Sequence, residues 1–146
     1  MREIKFKGKS INTGEWCESM TISNGTIKRK RDDLFMETNE GKWLGIDPKT
    51  LGQFTGVKDK NNKDIFEGDI VRILYTDWCS KSSSDQRTLA QYLIDIAKIG
   101  YITFIGDRYY VVFKNKYKED YYDSFFPGEH GYIEVIGNIY DNPEIL

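Results

Sequence analysis

Short runs of β-branched and aromatic residues, each closed by a turn signal, repeat along most of this chain and predict a mainly β fold. The clearest case is Gly106-Asp107, a two-residue hairpin signal between the stretches 101–105 and 108–113. Another is Asn24-Gly25, which follows an alternating stretch at 16–22. Strands joined by such tight turns pair with their sequence neighbours, so antiparallel sheets are expected.

One segment has a helical period instead. Ser83 is placed to cap it, with Gln86 three residues later as the capping-box partner. The apolar residues that follow at i, i+3, i+4 and i+7 share one stripe, which consists of Leu89, Tyr92, Leu93 and Ile96. Gly100 is suited to a left-handed C-terminal cap. We therefore predict an amphipathic helix from Ser84 to Lys98, packed by its apolar face.

The polar segment 58–64 is the nearest feature to a domain boundary. It divides the chain into an N-terminal β segment, 1–57, and a C-terminal part, 58–146, in which short strands are interrupted by the helix. A chain of 146 residues with 39% apolar residues can bury one compact core or two small ones. The fold class expected is mainly β with one inserted helix (α+β).

The overall charge argues against a protein built to coat nucleic acid. The chain has 21 basic and 23 acidic residues, a net charge of -2, whereas such proteins carry a dominant basic surface. No apolar run approaches the length needed to cross a bilayer, and the start MREIKFKGK lacks a signal-peptide core. We expect no membrane partner, a cytoplasmic location, and reduced thiols at Cys17 and Cys79.

Three segments carry a family resemblance: MREIKFKGK at the start, the block TLGQFTGVKDKNNKDIFEGDIVRI at 50–73, and the tail EVIGNIYDNPEIL at 134–146. Together they resemble the YopX family of bacteriophage and prophage proteins. The resemblance implies an SH3-like barrel in the C-terminal part, homo-oligomerisation, and a role inside a bacterial host cell. It brings no established activity and no catalytic residues. The glycines of these segments, Gly52, Gly56, Gly68 and Gly137, are interpreted as determinants of shape.

Catalytic and metal-binding residue patterns are weak in this chain. A nucleophilic pair of His130 with Cys17 or Cys79 would need contact between residues far apart in sequence, and His130 lies in a polar loop segment. Cys17, Cys79 and His130 are each isolated in the sequence, whereas a zinc site uses four ligands, usually in pairs that are close in sequence. The polar loop from Asp59 fails as a calcium loop because Ile70 stands where a glutamate is required. We therefore expect neither an enzyme nor a metal or cofactor.

The basic run of Lys28, Arg29, Lys30 and Arg31 is the sharpest charge feature. Four adjacent cations suit a contact with phosphates. Asp32 and Asp33 follow directly and offset that charge, and short charged runs are more often solvated or protect a strand edge. Nucleic-acid binding through this run and exposed aromatics is therefore the second hypothesis for function.

Ten aromatic residues lie between positions 101 and 126, more than one small barrel is expected to enclose. Neighbouring residues of a strand point to opposite faces, so one member of each aromatic pair must leave the core. The pairs are Tyr109-Tyr110, Tyr121-Tyr122 and Phe125-Phe126. Exposed aromatics are typical of protein interfaces. The leading hypothesis is a non-enzymatic accessory protein that contacts copies of itself and an unidentified phage or host protein.

Overall fold

The computed structural model describes residues 3–24, 34–74, 97–114, 120–124 and 132–146, and within these ranges the protein is mainly β, as predicted. The strands described are β1 (Phe6–Lys9), β2 (Trp16–Ser19), β3 (Ile22–Asn24), β4 (Leu34–Glu37), β5 (Trp43–Ile46), β6 (Gly52–Lys58), β7 (Asp64–Phe66), β8 (Asp69–Leu74), β9 (Lys98–Ile105), β10 (Arg108–Phe113), β11 (Tyr121–Ser124) and β12 (Tyr132–Asn138). Two 3₁₀ turns, Pro48–Thr50 and Pro143–Ile145, complete the regular structure described.

The chain divides into two compact units, Met1–Gly56 and Val57–Leu146, which we call the first and second units. In the first unit, β1 pairs antiparallel with both β2 and β6, and β4 pairs antiparallel with both β3 and β5. A bridge between Ser10 and Ile46 joins these two groups of strands.

The core of the first unit is built from alternate residues of these strands. Leu34, Met36 and Ile46 are buried, with Phe6 and Leu44 among the half-buried residues that pack on them. Gly8 lies on the inward face of β1, where a Cβ atom would collide with Cγ2 of Ile46. Only glycine therefore allows this close approach of β1 to β5.

The prediction of a single strand over 16–22 is wrong, because Met20 and Thr21 lie outside the strands and separate β2 from β3. The hydroxyl of Ser19 accepts a hydrogen bond from the Thr21 backbone N–H and donates one to the Thr21 carbonyl, both at 2.9 Å. Such local bonding by serine replaces the ladder of a sheet. As a result β2 pairs with β1, whereas β3 begins at Ile22 and pairs with β4.

The second unit contains a five-stranded antiparallel sheet in the order β11-β10-β9-β8-β12. β9 is shared, since residues 98–101 pair with β8 and residues 101–105 pair with β10. β12 returns along the free edge of β8, with a register shift between Val135 and Gly137. β6 ends in this unit, where Lys58 forms an ion pair of 2.6 Å with Asp64 of β7.

The predicted hairpin at Gly106-Asp107 is confirmed. Ile105 and Arg108 pair directly across β9 and β10, and Gly106 has a φ of 67°. A positive φ at the first central residue alone is typical of a type II′ turn, in which glycine is preferred. Local sequence therefore sets the register of this hairpin.

The core of the second unit lies on one face of this sheet. Its buried residues share the alternation of their strands and come from β7, β8, β9, β10 and β12: Ile65, Val71, Ile73, Ile102, Tyr109, Val111, Phe113 and Ile133. This face buries three β-branched residues of the family segment 50–73, namely Ile65, Val71 and Ile73. Packing in the core is sufficient to explain why these positions are apolar.

The predicted helix from Ser84 to Lys98 lies, up to residue 96, outside the described residues, and so does its stripe from Leu89 to Ile96. Its end is wrong. Lys98 begins β9, and Gly100 lies inside that strand rather than at a helix cap. A Cβ atom on Gly100 would lie 2.6 Å from the carbonyl oxygen of Val112, so the neighbouring strand accounts for this glycine. In the part of the chain that the structure describes, no helix is long and apolar enough to cross a membrane.

Candidate functional site

Asp69 is the most deeply buried carboxylate among the residues described, with 1% of its surface exposed. It follows Gly68, whose φ of 85° turns the chain back toward the carboxylate. Its Oδ2 accepts a hydrogen bond of 2.9 Å from the Phe66 backbone N–H, and its Oδ1 accepts one of 3.0 Å from Nδ2 of Asn138. A buried carboxylate is stable only with such donors, so the segment Phe66–Asp69 is held as a closed turn.

Asn138 continues this connection into the tail. Its side-chain oxygen accepts a hydrogen bond of 3.1 Å from the Tyr140 N–H. Its backbone carbonyl accepts from the N–H groups of Asp141 and Asn142, which turns the chain into the 3₁₀ turn that follows. One asparagine thus joins β12, the tail and the buried Asp69.

Gly68 completes the same junction through its backbone. Its N–H donates to the carbonyl of Ile102 at 2.8 Å, and its own carbonyl accepts from the Ile139 N–H at 2.9 Å. The family segments 50–73 and 134–146 therefore meet at residues 66–69 and 138–140. We call this set the Asp69–Asn138 junction.

Asp59 makes a second junction between the same two segments. Its Oδ1 accepts from the N–H groups of Asn61 and Lys63 at 2.8 and 2.9 Å, and its Oδ2 accepts from the Val135 N–H at 3.1 Å. Burial raises the pKa of this carboxyl, but the three N–H donors and the charge of Lys63 together bring the pKa below its ordinary value. The loop after β6, interpreted as a solvated turn, is thus folded around one ionised carboxylate.

The chemistry of both junctions is structural. Their acceptors face N–H groups of the protein itself, and the arrangement contains no nucleophile beside a base. In the described ranges no group of three or more His, Cys, Asp or Glu residues is placed to hold a metal ion. Burial and then the charge of Glu18 raise the pKa of the half-buried Cys17 thiol, which makes it a poor nucleophile. Cys79 and His130 lie outside the described residues, so the pairing of His130 with either cysteine is not tested.

Of the predicted aromatic pairs, Tyr109-Tyr110 is the one with both side chains described, and its two rings lie on opposite faces of β10. Tyr109 is 6% exposed in the core, where its ring meets Phe104 edge to face at 5.0 Å, so it is not available to a partner. Tyr110 is half-buried on the other face. Tyr122, on β11, is 52% exposed. Tyr121 stands opposite Phe113 in the register of β10 and β11, and Phe125 and Phe126 lie outside the described residues.

The face of this sheet opposite Ile102 and Val111 has a cross-strand row with two tyrosine positions. Tyr101 of β9 is opposite Val112 of β10, which is opposite Tyr122 of β11. Directly paired residues share a face, so the two tyrosines flank the valine, which is itself fully buried. Tyr110 belongs to the same face, in the neighbouring row, opposite Thr103. We call Tyr101, Tyr110 and Tyr122 the tyrosine face.

The basic run Lys28, Arg29, Lys30 and Arg31 lies outside the described residues. The structure instead has a basic feature on β1 that was not predicted from the sequence. Lys7 and Lys9 place their ammonium groups 4.7 and 5.6 Å from the ring centroid of Trp16 on β2. The alternation of lysines in the first nine residues was a usable signal, but the position of Trp16 required the register of β1 and β2.

These features define a mainly β protein of two units whose sequence motifs meet as structural junctions. The family model described as YopX protein matches residues 4–146, so the chain belongs to the YopX family and the resemblance is confirmed. No curated protein matches the chain. A similar solved structure is that of protein EF1440 from Enterococcus faecalis, with a TM-score of 0.51 and 22% sequence identity, covering 100% of this chain and 99% of that one. At this identity the similarity shows the fold alone.

Proposed function

We propose that this YopX-family protein acts without catalysis, through protein contacts, and first of all with a second copy of itself. The observation that supports this proposal is the exposure of Tyr122 on an edge strand, in a row with Tyr101. Tyrosine supplies a large contact area with little conformational entropy to lose, which suits an interface. An accessory role in a phage or prophage, in the cytoplasm of the bacterial host, is the part of the proposal that the family resemblance supports.

The two edges of the five-stranded sheet differ in a way that supports self-association at β11. At the β12 edge, the carbonyl of Ile133 accepts from the Lys60 N–H at 2.9 Å, and the Val135 N–H donates to Asp59. These bonds occupy outward-facing backbone groups of β12. In the described part of the sheet, β11 pairs only with β10. A second β11 added antiparallel at this edge would extend the sheet and bring the Tyr122 side chains of two copies together.

The strand order also supports the finer architecture that we propose for the second unit, an SH3-like barrel. The four strands β8 to β11 form a meander, and β12 returns to the first of them. β9 divides its pairing between β8 and β10, as a strand does when it bends between two halves of a barrel. In such a barrel the tyrosine face would point away from the core residues Ile102 and Val111.

Size-exclusion chromatography with light scattering tests the self-association. The wild-type protein is expected to have a mass above the 17.1 kDa of one chain at micromolar concentration. Tyr122→Glu should lower that mass while the β circular-dichroism spectrum is retained, because a buried interfacial carboxylate is costly to desolvate. The matched control is Trp43→Glu, an aromatic on β5 with similar exposure, 48%, which should leave the mass unchanged. A wild-type monomer at all concentrations, or equal dissociation by both variants, would refute the proposal.

A further inference from the structure

Strands β4 and β5 of the first unit have an outward face that includes an exposed tryptophan. Met36 and Ile46 are buried in the core of this unit. The alternation of each strand therefore places Glu37, Trp43 and Gly45 on the opposite face. Glu37 is directly opposite Trp43 in the register of the two strands, so their side chains are neighbours. Trp43 is 48% exposed, which leaves much of its surface open to a partner.

Ile11 borders the same face. Its N–H donates to the carbonyl of Gly45 at 2.9 Å, and its Cδ1 would lie 3.7 Å from a Cβ atom on Gly45. Ile11 is 63% exposed. Gly45 thus lies next to two exposed apolar side chains, Ile11 on one side and Trp43 about 7 Å away along β5. We call Ile11, Glu37, Trp43 and Gly45 the β5 notch.

The glycine at position 45 is not explained by the described part of the chain. Its φ is not positive, and a Cβ atom there would meet Ile11 and Phe35 only at ordinary contact distances, 3.7 and 3.8 Å. Gly8 and Gly100 differ, because a Cβ atom at either would collide with a neighbour. A glycine inside a strand weakens the strand and often marks a close approach of another molecule to the backbone. Gly45 therefore indicates a contact from outside the chain.

The charge at the notch favours a cationic partner. In the described ranges the carboxylate of Glu37 has no ion pair, whereas the nearby Glu40 is paired with Lys42 at 2.8 Å. A cation beside Glu37 would also lie next to the indole ring of Trp43, whose face attracts positive charge. Arginine suits this arrangement best, because its planar guanidinium stacks on aromatic rings and bonds to carboxylates, while its aliphatic stem packs on apolar surface.

We propose that the β5 notch binds an arginine side chain of a partner protein. The stem of the arginine lies over Gly45 against Ile11. Its guanidinium stacks on the ring of Trp43 and donates to the carboxylate of Glu37. A lysine would supply the charge without the stacking surface. The notch lies in the first unit, and this contact is separate from the self-association proposed through Tyr122.

An NMR titration of isotope-labelled protein with the peptide acetyl-Ala-Arg-Ala-amide tests the notch. The indole N–H signal of Trp43, identified by its loss in Trp43→Leu, should shift and saturate. The same peptide with citrulline in place of arginine keeps the shape and removes the charge. It should bind about tenfold more weakly, because both the ion pair and the cation–π contact are lost. The lysine peptide should bind with an affinity between the two.

Variants of the notch separate its charge from its shape. Glu37→Gln should weaken binding of the arginine peptide about threefold. Gly45→Ala should also weaken it, because the added Cβ atom occupies the floor of the notch without a collision inside the chain. The matched control for Glu37→Gln is Glu144→Gln, which removes an exposed carboxylate of the second unit and should leave the affinity unchanged.

Four results would overturn the proposal. They are absence of a saturable shift at Trp43, equal binding of the citrulline peptide, an unchanged affinity in Glu37→Gln or Gly45→Ala, and an equal loss in Glu144→Gln. A lower mass of Trp43→Glu in light scattering would also overturn it, because the notch would then be occupied by a second copy of the chain.

Discussion

The side-chain amide of Asn138 donates a hydrogen bond of 3.0 Å to the carboxylate of Asp69, although 69 residues separate them in sequence. The two residues belong to the two family segments 50–73 and 134–146. Both are buried, so the bond is formed away from water, where an unsatisfied partner would be costly. The family segment 50–73 is the most specific sequence feature of this chain. Its contact with segment 134–146 at the Asp69–Asn138 junction gives it a structural role in the second unit.

Removing the carboxylate of Asp69 should destabilise the protein. Asp69→Ala leaves the Phe66 N–H and the Asn138 amide without their acceptor, and we expect a loss of about 2–4 kcal/mol in the free energy of unfolding. Urea denaturation followed by circular dichroism measures it. Asp107→Ala, which removes an exposed carboxylate at a hairpin turn, is the control and should change stability much less than Asp69→Ala does. Similar losses in both variants would contradict the assigned role of the junction.

The contribution of Asp59 should depend on pH. Its pKa is lower in the folded protein than in the unfolded chain, so the ionised carboxylate stabilises the fold fully above the unfolded pKa of about 3.9. That stabilisation is lost as the pH falls through the lower, folded pKa. Urea midpoints measured from neutral to strongly acidic pH should therefore fall less steeply for Asp59→Asn than for the wild type. Parallel pH curves for the two proteins would show that Asp59 is not linked to stability.

Adding one methyl group at Gly8 should disturb the first unit. In Gly8→Ala the new Cβ meets the fully buried side chain of Ile46, so we expect a loss of about 1–3 kcal/mol. Gly45→Ala is a matched control on β5, because a Cβ there would have its nearest neighbours at 3.7 and 3.8 Å, ordinary contact distances. Thermal unfolding of both variants is the measurement. A destabilisation by Gly45→Ala as large as that by Gly8→Ala would argue against close packing at Gly8.

The division of tyrosines between core and surface can be measured through stability. Tyr109→Ala should cost about 3 kcal/mol, because it empties a buried site and removes the edge-to-face contact with Phe104. Tyr122→Ala should cost less than about 1 kcal/mol when measured on dilute protein, since the ring is half exposed. Equal costs at the two positions would mean that the alternation of faces in β10 and β11 has been misassigned.

Several elements of the fold follow from short sequence patterns. The Gly106-Asp107 turn and the alternation in 108–113 act between near neighbours, and the structure has both where they were predicted. Two predictions failed for identifiable reasons. Ser19 bonds to the backbone of Thr21 and ends β2 early. Gly100 resembles a helix cap in sequence, but it is required by the close approach of the neighbouring strand. The candidate site was less predictable, because cross-strand pairing decides which tyrosine or lysine has which neighbour.

The sequence by itself determined the mainly β class, the hairpin at Gly106 and the membership of the YopX family, because periodicity, turn residues and motifs are local properties of a chain. Tertiary structure decided that Asp69 meets Asn138, that Asp59 caps the edge of β12, that Tyr109 is core while Tyr122 is exposed, and that Trp16 lies among the lysines of β1. Each of these depends on strand register. A shift of one residue reverses every side chain of a strand, so register is set by the packing of whole sheets rather than by any short segment.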